Sequence, residues 1–372
     1  MGGGGGGGPF GVRRPASSAI PVAAPRLLRE VPIVPIDLRS DTSSTPDDEM
    51  REAMRRAAVG NDGFGEDPTV NRLQETAAAR LGKEAALFVP SGTMANLVSM
   101  LTLCERGDGV VAGRNCHMLT FERGIPALAG IVPLVANDET GAPDPDEIRA
   151  LLGRRSFVRP RVLAVENTHN FAGGVPLDFA QMATYAALAR ERDLKLYVDG
   201  ARVFNAEVAL GTPAAELCRD ADVVSFCLSK GLSAPIGSLV VGGAKDMSRA
   251  REMRSLLGGQ MRQAGVIAAA GMVALEKMIE RLADDHRRAQ RLAEGLRGLA
   301  GLGVEPPHTN MVRMHVARAG LDAQGFVKAM AARGVLVLHY SATVVRMCTY
   351  RDITDADIDA TIAAVRETMA AG

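Results

Sequence analysis

Short apolar runs alternate with helical patterns along most of the chain, and this alternation limits the possible folds more than any other feature. Between the runs, apolar residues recur at helical spacing, as at residues 93–104 and 178–191. Strands that alternate with helices form βαβ units, so the sequence predicts a largely parallel sheet covered by helices on both faces. The strand candidates are residues 85–89, 109–112, 130–135, 161–165, 194–198, 223–226 and 237–241.

The pattern changes near residue 262, where a long helical segment extends to about residue 299 and a shorter α+β pattern follows it. The strand candidates in this part are residues 311–314, 335–338 and 344–347. At the other end of the chain, residues 2–8 are all glycine and offer no side chains for a core. We therefore predict three segments: a disordered, low-complexity extension at residues 1–36, a large α/β domain at 37–260, and a connecting helix with a smaller α+β domain at 261–372.

The charge balance and the cysteine spacing limit the kinds of binding partner, and the cellular compartment, that we expect for this chain. Lys and Arg number 43, as do Asp and Glu, so neither nucleic acid nor an anionic membrane is expected as the main partner. No apolar run approaches the ~20 residues that a membrane span requires. Five dispersed cysteines predict reduced thiols in a cytoplasmic compartment. The six histidines lack the spacing of a metal site, so no metal is expected.

Two loops that follow strand candidates carry residues suited to a phosphorylated, planar ligand. In an open parallel sheet, ligands bind beyond the carboxyl ends of the strands. Ser91, Gly92 and Thr93 open a predicted helix, and free amides at a helix N-terminus suit a phosphate, although an ordinary helix cap has the same pattern. His117 can stack on a planar cofactor or relay protons, or it can have a purely structural role.

Two further loops carry a carboxylate and a lysine. Asp199 can hold a cationic ring nitrogen, or it can simply form an Asp–Gly turn. Lys230 is surrounded by small residues, and a lysine in a dry pocket becomes an amine nucleophile, whereas the alternative is a solvated loop lysine. A phosphate cradle, an imidazole, a carboxylate and a lysine in this order match the groups of pyridoxal 5'-phosphate.

Seven co-linear segments carry a family resemblance: DLRSDT at 37–42, GEDPTVN at 65–71, PSGTMAN at 90–96, ENTHN at 166–170, DGARVFNA at 199–206, SKGL at 229–232 and MRQAG at 261–265. In this order they resemble the low-specificity L-threonine aldolases. The resemblance implies the aminotransferase-like fold (fold type I) and cleavage of L-threonine, L-allo-threonine and related β-hydroxy-α-amino acids into glycine and an aldehyde. It also implies a homo-oligomer, either a dimer whose subunits share active sites or a homotetramer.

The resemblance assigns the cofactor residues. It implies that Lys230 forms a Schiff base with pyridoxal phosphate, that Asp199 pairs with the ring nitrogen, and that His117 stacks on the ring. We accordingly expect Asp199→Ala to cost much more activity than Asp41→Ala. The other residues implied for the cofactor are Ser91, Gly92, Thr93, Arg202 and Arg262, the last from a neighbouring subunit.

The substrate residues follow from the same resemblance, which implies that Ser40, Arg202 and Arg346 grip the substrate carboxylate. Charge-assisted hydrogen bonds from these groups would fix the orientation of the substrate. A base must also take the proton of the β-hydroxyl group, and His117 is the candidate for it, with His169 as the alternative.

Four positions depart from the family pattern. Phe64, Ile125, Ser233 and Tyr350 stand where the family usually has tyrosine, glycine, glycine and histidine. The cofactor residues are intact, so these departures are expected to affect substrate preference more than cofactor binding. Two other functions stay open: another pyridoxal-phosphate reaction, such as amino-acid racemisation or β-elimination, and a non-catalytic protein with the same fold.

Overall fold

The computed structural model describes residues 1–2, 35–318 and 320–371, and the residues from Pro35 onward form one compact unit. Most of the predicted extension at residues 1–36 lies outside the described residues. The helices are α1 (Asp48–Arg56), α2 (Pro68–Arg80), α3 (Gly92–Leu103), α4 (His117–Thr120), α5 (Pro145–Gly153), α6 (Phe179–Glu191), α7 (Val203–Leu210), α8 (Ala214–Leu217), α9 (Ala244–Leu256), α10 (Gly265–Leu296), α11 (Ala323–Ala331) and α12 (Asp355–Ala370).

The strands confirm most of the predicted positions. They are β1 (Ile36–Asp37), β2 (Ala85–Val89), β3 (Gly109–Gly113), β4 (Val132–Ala136), β5 (Pro160–Glu166), β6 (Lys195–Asp199), β7 (Val223–Cys227), β8 (Ser238–Gly242), β9 (Leu302–Val304), β10 (Met311–Val316), β11 (Val335–Leu336), β12 (Leu338–His339) and β13 (Val344–Cys348). Single helical turns of other types lie at Asp41–Ser43, Asp62–Phe64 and Ile125–Ala129. The predicted strand at 335–338 is divided, because β11 pairs with β1 whereas β12 pairs with β13.

Seven strands form the central sheet in the order β2-β8-β7-β6-β5-β3-β4. The neighbours from β7 to β4 are all parallel, and only β8 runs against the strands beside it. The sheet is therefore mostly parallel, as predicted. Because parallel strands end at the same edge, the loops after β2, β3, β5, β6 and β7 open on one side of the molecule.

Both faces of the central sheet are covered, which explains why its strands read as continuous apolar runs. In β5, Val162 and Ala164 belong to one hydrophobic cluster, whereas Leu163 and Val165 belong to another. Helices α3 and α9 supply the first cluster, and α2, α6, α7 and α10 supply the second. Burial on both faces leaves only the strand ends free for polar chemistry.

A second sheet organises the C-terminal part of the chain. Its four antiparallel strands have the order β12-β13-β10-β9 and pack with α11, α12 and the last turns of α10 in a third cluster. Leu38, near the start of the described chain, is fully buried in that cluster. Among the described residues, no helix combines the length and the apolar character needed to cross a membrane.

Candidate active site

Asp199, the last residue of β6, is a buried carboxylate with no cationic partner among the described residues. It is 4% exposed, and its two oxygens accept hydrogen bonds from Asn96 Nδ2 at 2.9 Å and from the Ala201 amide at 3.1 Å. A buried carboxylate without a cation is costly, since burial removes the water that would stabilise its charge. The carboxylate is therefore arranged to receive a cationic group from a ligand.

Asn96 on α3 holds this carboxylate in place. Its Nδ2 atom also donates to Glu122 Oε1 at 2.9 Å, and its Oδ1 atom accepts from the Tyr197 hydroxyl at 2.5 Å. The Tyr197 hydroxyl in turn lies 2.7 Å from Ser225 Oγ on β7. Asn96 Nδ2 thus holds two carboxylates while Tyr197 holds Oδ1 of the same side chain, which makes the position of Asp199 rigid.

His117 begins helix α4 and faces the same network. Its amide donates to Glu166 Oε2 at 2.6 Å, and its Nδ1 atom lies 2.8 Å from Glu122 Oε1. With a carboxylate as the partner, Nδ1 carries the hydrogen and Nε2 is left to accept a proton. The side chain is 33% exposed, and Nε2 has no partner among the described residues. An imidazole oriented by a carboxylate is a suitable general base.

Lys230 lies in the loop after β7 and is half-buried. Its carbonyl accepts hydrogen bonds from Ser44 Oγ at 2.7 Å and from the Ser233 amide at 2.8 Å, so the backbone of the loop is fixed. Its amine makes no hydrogen bond or ion pair with the part of the chain that the structure describes. The amine is therefore available for covalent attachment to a carbonyl group.

Ser91, Gly92 and Thr93 lie at the beginning of α3, so the predicted helix start is confirmed, and their role as a phosphate cradle stays a prediction. Ser91 caps the helix by accepting the Met94 amide at 3.1 Å. The amides of Gly92 and Thr93 have no acceptor among the described residues. A Cβ atom at Gly92 would lie 2.8 Å from Cys227 Sγ, so only glycine fits between the helix and β7.

Arg202 forms a buried, bidentate ion pair with Asp41. Its Nε and NH2 atoms donate to the two carboxylate oxygens at 2.7 and 2.6 Å. Burial opposes the charge on Asp41, but the Arg202 guanidinium outweighs it and holds the pKa of this carboxyl well below its usual range. Arg202 is thus largely committed to Asp41, a partner that the sequence did not indicate.

Arg346 on β13 converges with Arg202 on one side chain. Asn170 Oδ1 accepts from Arg346 NH1 at 2.7 Å and from Arg202 NH1 at 3.2 Å. Arg346 NH2 donates to the Arg39 carbonyl at 2.9 Å, and Arg346 Nε has no partner among the described residues. Ser40, the third residue predicted for the substrate carboxylate, caps the turn that carries Asp41.

His169, the alternative to His117 as the base, is held by neighbours through both of its ring nitrogens. Its Nε2 atom lies 2.9 Å from Asp138 Oδ2, and its Nδ1 atom accepts the Ala172 amide at 3.1 Å. Both ring nitrogens therefore already have partners within the described chain, and neither is free to take a proton in this arrangement.

Arg262 is exposed in the loop between α9 and α10, beside Gly63. Its carbonyl accepts the Asp62 amide at 3.0 Å, and its guanidinium makes no hydrogen bond with described residues. The role predicted for Arg262 belongs to a neighbouring subunit, so it stays a prediction.

The four departures from the family pattern occupy different environments. Phe64 is 78% exposed and Ile125 is fully buried. The Tyr350 hydroxyl donates to the Asp37 carbonyl at 2.8 Å, so it ties the C-terminal part of the chain to β1. Ser233 has a φ of +63°, in the left-handed region, which explains why glycine is usual there.

The comparisons with known proteins give the family directly. A sequence profile of the family described as "Beta-eliminating lyase" matches residues 37–319. The chain belongs to this family. It is 41% identical over 344 residues to "Low-specificity L-threonine aldolase 1" of Arabidopsis thaliana, covering 90% of this chain and 96% of that protein. It is 42% identical over 330 residues to "Low specificity L-threonine aldolase" of Escherichia coli K12, covering 86% and 95%.

These identities confirm the resemblance to the low-specificity L-threonine aldolases, and solved structures confirm the fold. A threonine aldolase of Leishmania major superimposes with a TM-score of 0.78 at 19% identity, covering 90% of this chain and 100% of that one. A putative L-allo-threonine aldolase of Listeria monocytogenes gives 0.75 at 21% identity, covering 90% and 96%. A serine palmitoyltransferase of Sphingomonas wittichii gives 0.73 at 17% identity, covering 91% and 88%. The chain therefore has the predicted fold type I architecture.

Proposed function

We propose that this protein of the beta-eliminating lyase family is a carbon–carbon lyase that uses pyridoxal phosphate. It cleaves L-threonine, L-allo-threonine and related β-hydroxy-α-amino acids into glycine and an aldehyde. The observation that carries the proposal is the position of a buried carboxylate, Asp199, and of an amine, Lys230, at the ends of neighbouring strands, where neither has a partner of opposite charge among the described residues. The names of the curated relatives support the same reaction.

The residues fit pyridoxal phosphate group by group. Asp199 suits the protonated ring nitrogen, Lys230 suits the aldehyde, and the free amides of Gly92 and Thr93 suit the phosphate. The buried Ser238 Oγ atom has no hydrogen-bond partner in the described part of the chain and lies beside Gly92, where it can add a donor. When bound, the cofactor supplies an electron sink for the electrons of the Cα–Cβ bond.

Arg346 binds the substrate carboxylate in this proposal. Its Nε atom is the one nitrogen of its guanidinium without a partner among described residues, whereas the Nε and NH2 atoms of Arg202 are both held by Asp41. Arg202 therefore orients Asn170, and through it Arg346, more than it contacts the substrate. A fixed carboxylate sets the rotation about the bonds to Cα, which decides the bond that breaks.

His117 accepts the proton of the β-hydroxyl group. Glu122 holds Nδ1, so Nε2 takes the proton while the Cα–Cβ bond breaks and the hydroxyl oxygen becomes the aldehyde oxygen. The same proton is then available for Cα, which completes glycine. Glu122 stabilises the imidazolium that forms in between.

The assembly, the compartment and the domain division belong to the same proposal. We place Arg262 at a site shared between subunits of a homodimer or homotetramer, because its guanidinium is exposed and unpaired among described residues. All five cysteines are buried as free thiols, which suits a reducing, cytoplasmic compartment. We keep residues 37–260 and 261–372 as the large and small domains.

Product analysis with L-threonine tests the proposal. We expect equal amounts of acetaldehyde and glycine, and we expect Lys230→Ala to lose at least most of the turnover together with the visible absorbance of the bound cofactor. Ammonia as the main product would instead indicate β-elimination, and D-allo-threonine, the product of inversion at Cα, would indicate racemisation. Either result, or full activity of Lys230→Ala, would contradict the proposed reaction.

A further inference from the structure

Three aromatic side chains form a continuous row at the mouth of the site, and we call Phe121, Phe171 and Tyr340 the aromatic wall. The ring of Tyr340 lies 6.2 Å from that of Phe121 and 5.7 Å from that of Phe171. Both pairs meet edge to face, at 82° and 80°, which is a favourable arrangement for aromatic rings. The three residues come from separate loops, so the wall exists only in the folded chain.

The wall connects the two groups that the proposed function assigns to the substrate. At one end, the Phe121 ring lies 5.2 Å from the His117 imidazole. At the other end, the guanidinium carbon of Arg346 lies 4.8 Å from the centre of the Tyr340 ring. The wall therefore extends from the proposed base to the arginine that holds the carboxylate.

The covalent structure of the substrate places its side chain between these groups. Cβ carries the hydroxyl that faces His117, and it is bonded to Cα, which carries the carboxylate held by Arg346. The remaining substituent on Cβ must then lie within a few ångströms of both residues. Phe121 and Tyr340 are the aromatic side chains that contact these two residues, Phe121 at His117 and Tyr340 at Arg346.

We infer that the aromatic wall is the subsite for the substituent on Cβ, and that it selects β-hydroxy-α-amino acids whose substituent is an aromatic ring over threonine, whose substituent is a methyl group. This inference rests on the proposed aldolase function and deepens it. Phe121 is 53% exposed, so part of its ring surface is open to a ligand. The aromatic pair of Phe204 and Phe226, by contrast, is buried in the core.

The ratio of kcat/KM for L-phenylserine to kcat/KM for L-threonine is the measurement that tests the inference. Both substrates need the same lysine, base and arginine, so effects on the chemistry cancel in the ratio. We expect the wild-type protein to favour phenylserine, and we expect Tyr340→Ala and Phe171→Ala each to lower the ratio, by about tenfold for Tyr340→Ala, because each removes a ring that stacks on the phenyl group or supports the wall.

Two matched variants separate the ring from other effects. Tyr340→Phe keeps the ring and removes the hydroxyl, so the ratio is expected to stay within about twofold of the wild type. Phe179→Ala removes a ring that also packs on an arginine, at 4.9 Å from Arg219, but on helix α6 away from the wall. The ratio is expected to be unchanged in Phe179→Ala.

Equilibrium binding gives a readout that does not depend on turnover. Titration calorimetry of the cofactor-loaded protein with L-phenylalanine and L-alanine compares a phenyl group with a hydrogen on Cβ. We expect Tyr340→Ala to weaken phenylalanine binding by about tenfold more than alanine binding.

The outcomes distinguish this inference from the function beneath it. If the wild-type protein forms glycine from both substrates but Tyr340→Ala and Phe171→Ala leave both the ratio and the calorimetric preference unchanged, the inference is wrong and the function stands. If neither substrate yields glycine, the proposed function is wrong, and the calorimetric preference still decides whether the wall binds an aromatic ring. Because the two substitutions lie in different loops, failure of one variant to fold leaves the other to decide.

Discussion

At the scale of single residues, Ser233 shows that the backbone of one residue can be strained without disrupting the site. Its φ of +63° is in the left-handed region, which costs a residue with a Cβ atom about 1–2 kcal/mol. Its hydroxyl makes only a long contact of 3.5 Å, with the Gly231 carbonyl. The position therefore tolerates serine in this chain, but nothing in the structure requires it.

We expect Ser233→Gly to change the free energy of unfolding by less than about 1 kcal/mol, because relief of strain is offset by the greater freedom of glycine in the unfolded chain. Ser233→Val should cost more than about 2 kcal/mol, because a β-branched residue fits this conformation poorly. Denaturant unfolding measures both. The same pair of changes at Asp193, the other described non-glycine residue with positive φ, is the control outside the site. Equal effects of glycine and valine at Ser233 would refute the strain argument.

Asp41 and Arg202 form an ion pair whose contribution to the stability of the fold depends on pH. The pKa of Asp41 is lower in the folded chain than in the unfolded chain, where the pKa of an aspartate is about 4. Its ionised form therefore stabilises the fold above that pH, and the contribution is lost as the pH falls through the lower, folded value. Asp41 thus has a structural role of its own, and the expectation that Asp199→Ala costs much more activity than Asp41→Ala stays a prediction.

We expect Asp41→Asn to lower the free energy of unfolding at neutral pH by about 3–5 kcal/mol, because Arg202 is left buried without its charge partner. The decline in stability below pH ~4 should also become shallower than in the wild type. Unfolding curves measured from pH 3 to pH 8 give both quantities. Asp359→Asn breaks an exposed pair with Arg291 alone and is expected to change little. A parallel pH profile in Asp41→Asn would contradict the assignment.

At the scale of elements, the carboxyl end of β5 aligns the base and the arginines together. Glu166 accepts the His117 amide at 2.6 Å and the Asn170 amide at 2.8 Å. The first bond fixes the beginning of α4, and the second fixes the side chain on which Arg202 and Arg346 converge. One carboxylate therefore positions both His117 and Asn170, the residue on which the two arginines converge.

We expect Glu166→Gln to lower kcat and raise KM at once, with a loss of about 100-fold in kcat/KM, because its amide nitrogen cannot accept one of the two backbone N–H groups, and the shift of the side chain away from that group displaces the other as well. Steady-state kinetics with L-threonine separate the two constants. Asp144 is the matched control, since it accepts the Asp146 and Glu147 amides at 2.8 and 3.3 Å at the beginning of α5. Asp144→Asn should leave both constants unchanged. A change in kcat alone for Glu166→Gln would show that Glu166 does not align the arginines.

The sequence predicts the elements of the site better than the contacts between them. Lys230, Asp199 and His117 could be found because each follows an apolar run, and strand ends are where an open sheet binds ligands. Asn96 could not be given its role, because the carboxylates that it holds are 26 and 103 positions away. Hydrogen bonds over such separations depend on the tertiary structure and leave no local pattern.

At the scale of the whole molecule, the segment at residues 36–39 joins the C-terminal part of the chain to the candidate site. Strand β1 pairs with β11, the Leu38 carbonyl accepts the Cys348 amide at 2.8 Å, and the Arg39 carbonyl accepts Arg346 NH2 at 2.9 Å. The sequence predicted the parallel sheet from local alternation, but it did not predict this connection. Pairing between segments about 300 residues apart has no periodic signal.

This connection predicts that the effect of a core substitution on substrate binding depends on where in the third cluster the substitution lies. Leu38 is fully buried in the third cluster, so Leu38→Ala should cost about 2–5 kcal/mol of stability. It should also raise KM for L-threonine severalfold, because the backbone of residues 38–39 holds both β13 and Arg346. Met330 is equally buried in the same cluster but lies on α11, without a hydrogen bond to Arg346. Met330→Ala should therefore show a similar loss of stability with an unchanged KM. If both variants raise KM equally, loss of core packing alone explains the effect, and the N-terminal segment has no special part in holding Arg346.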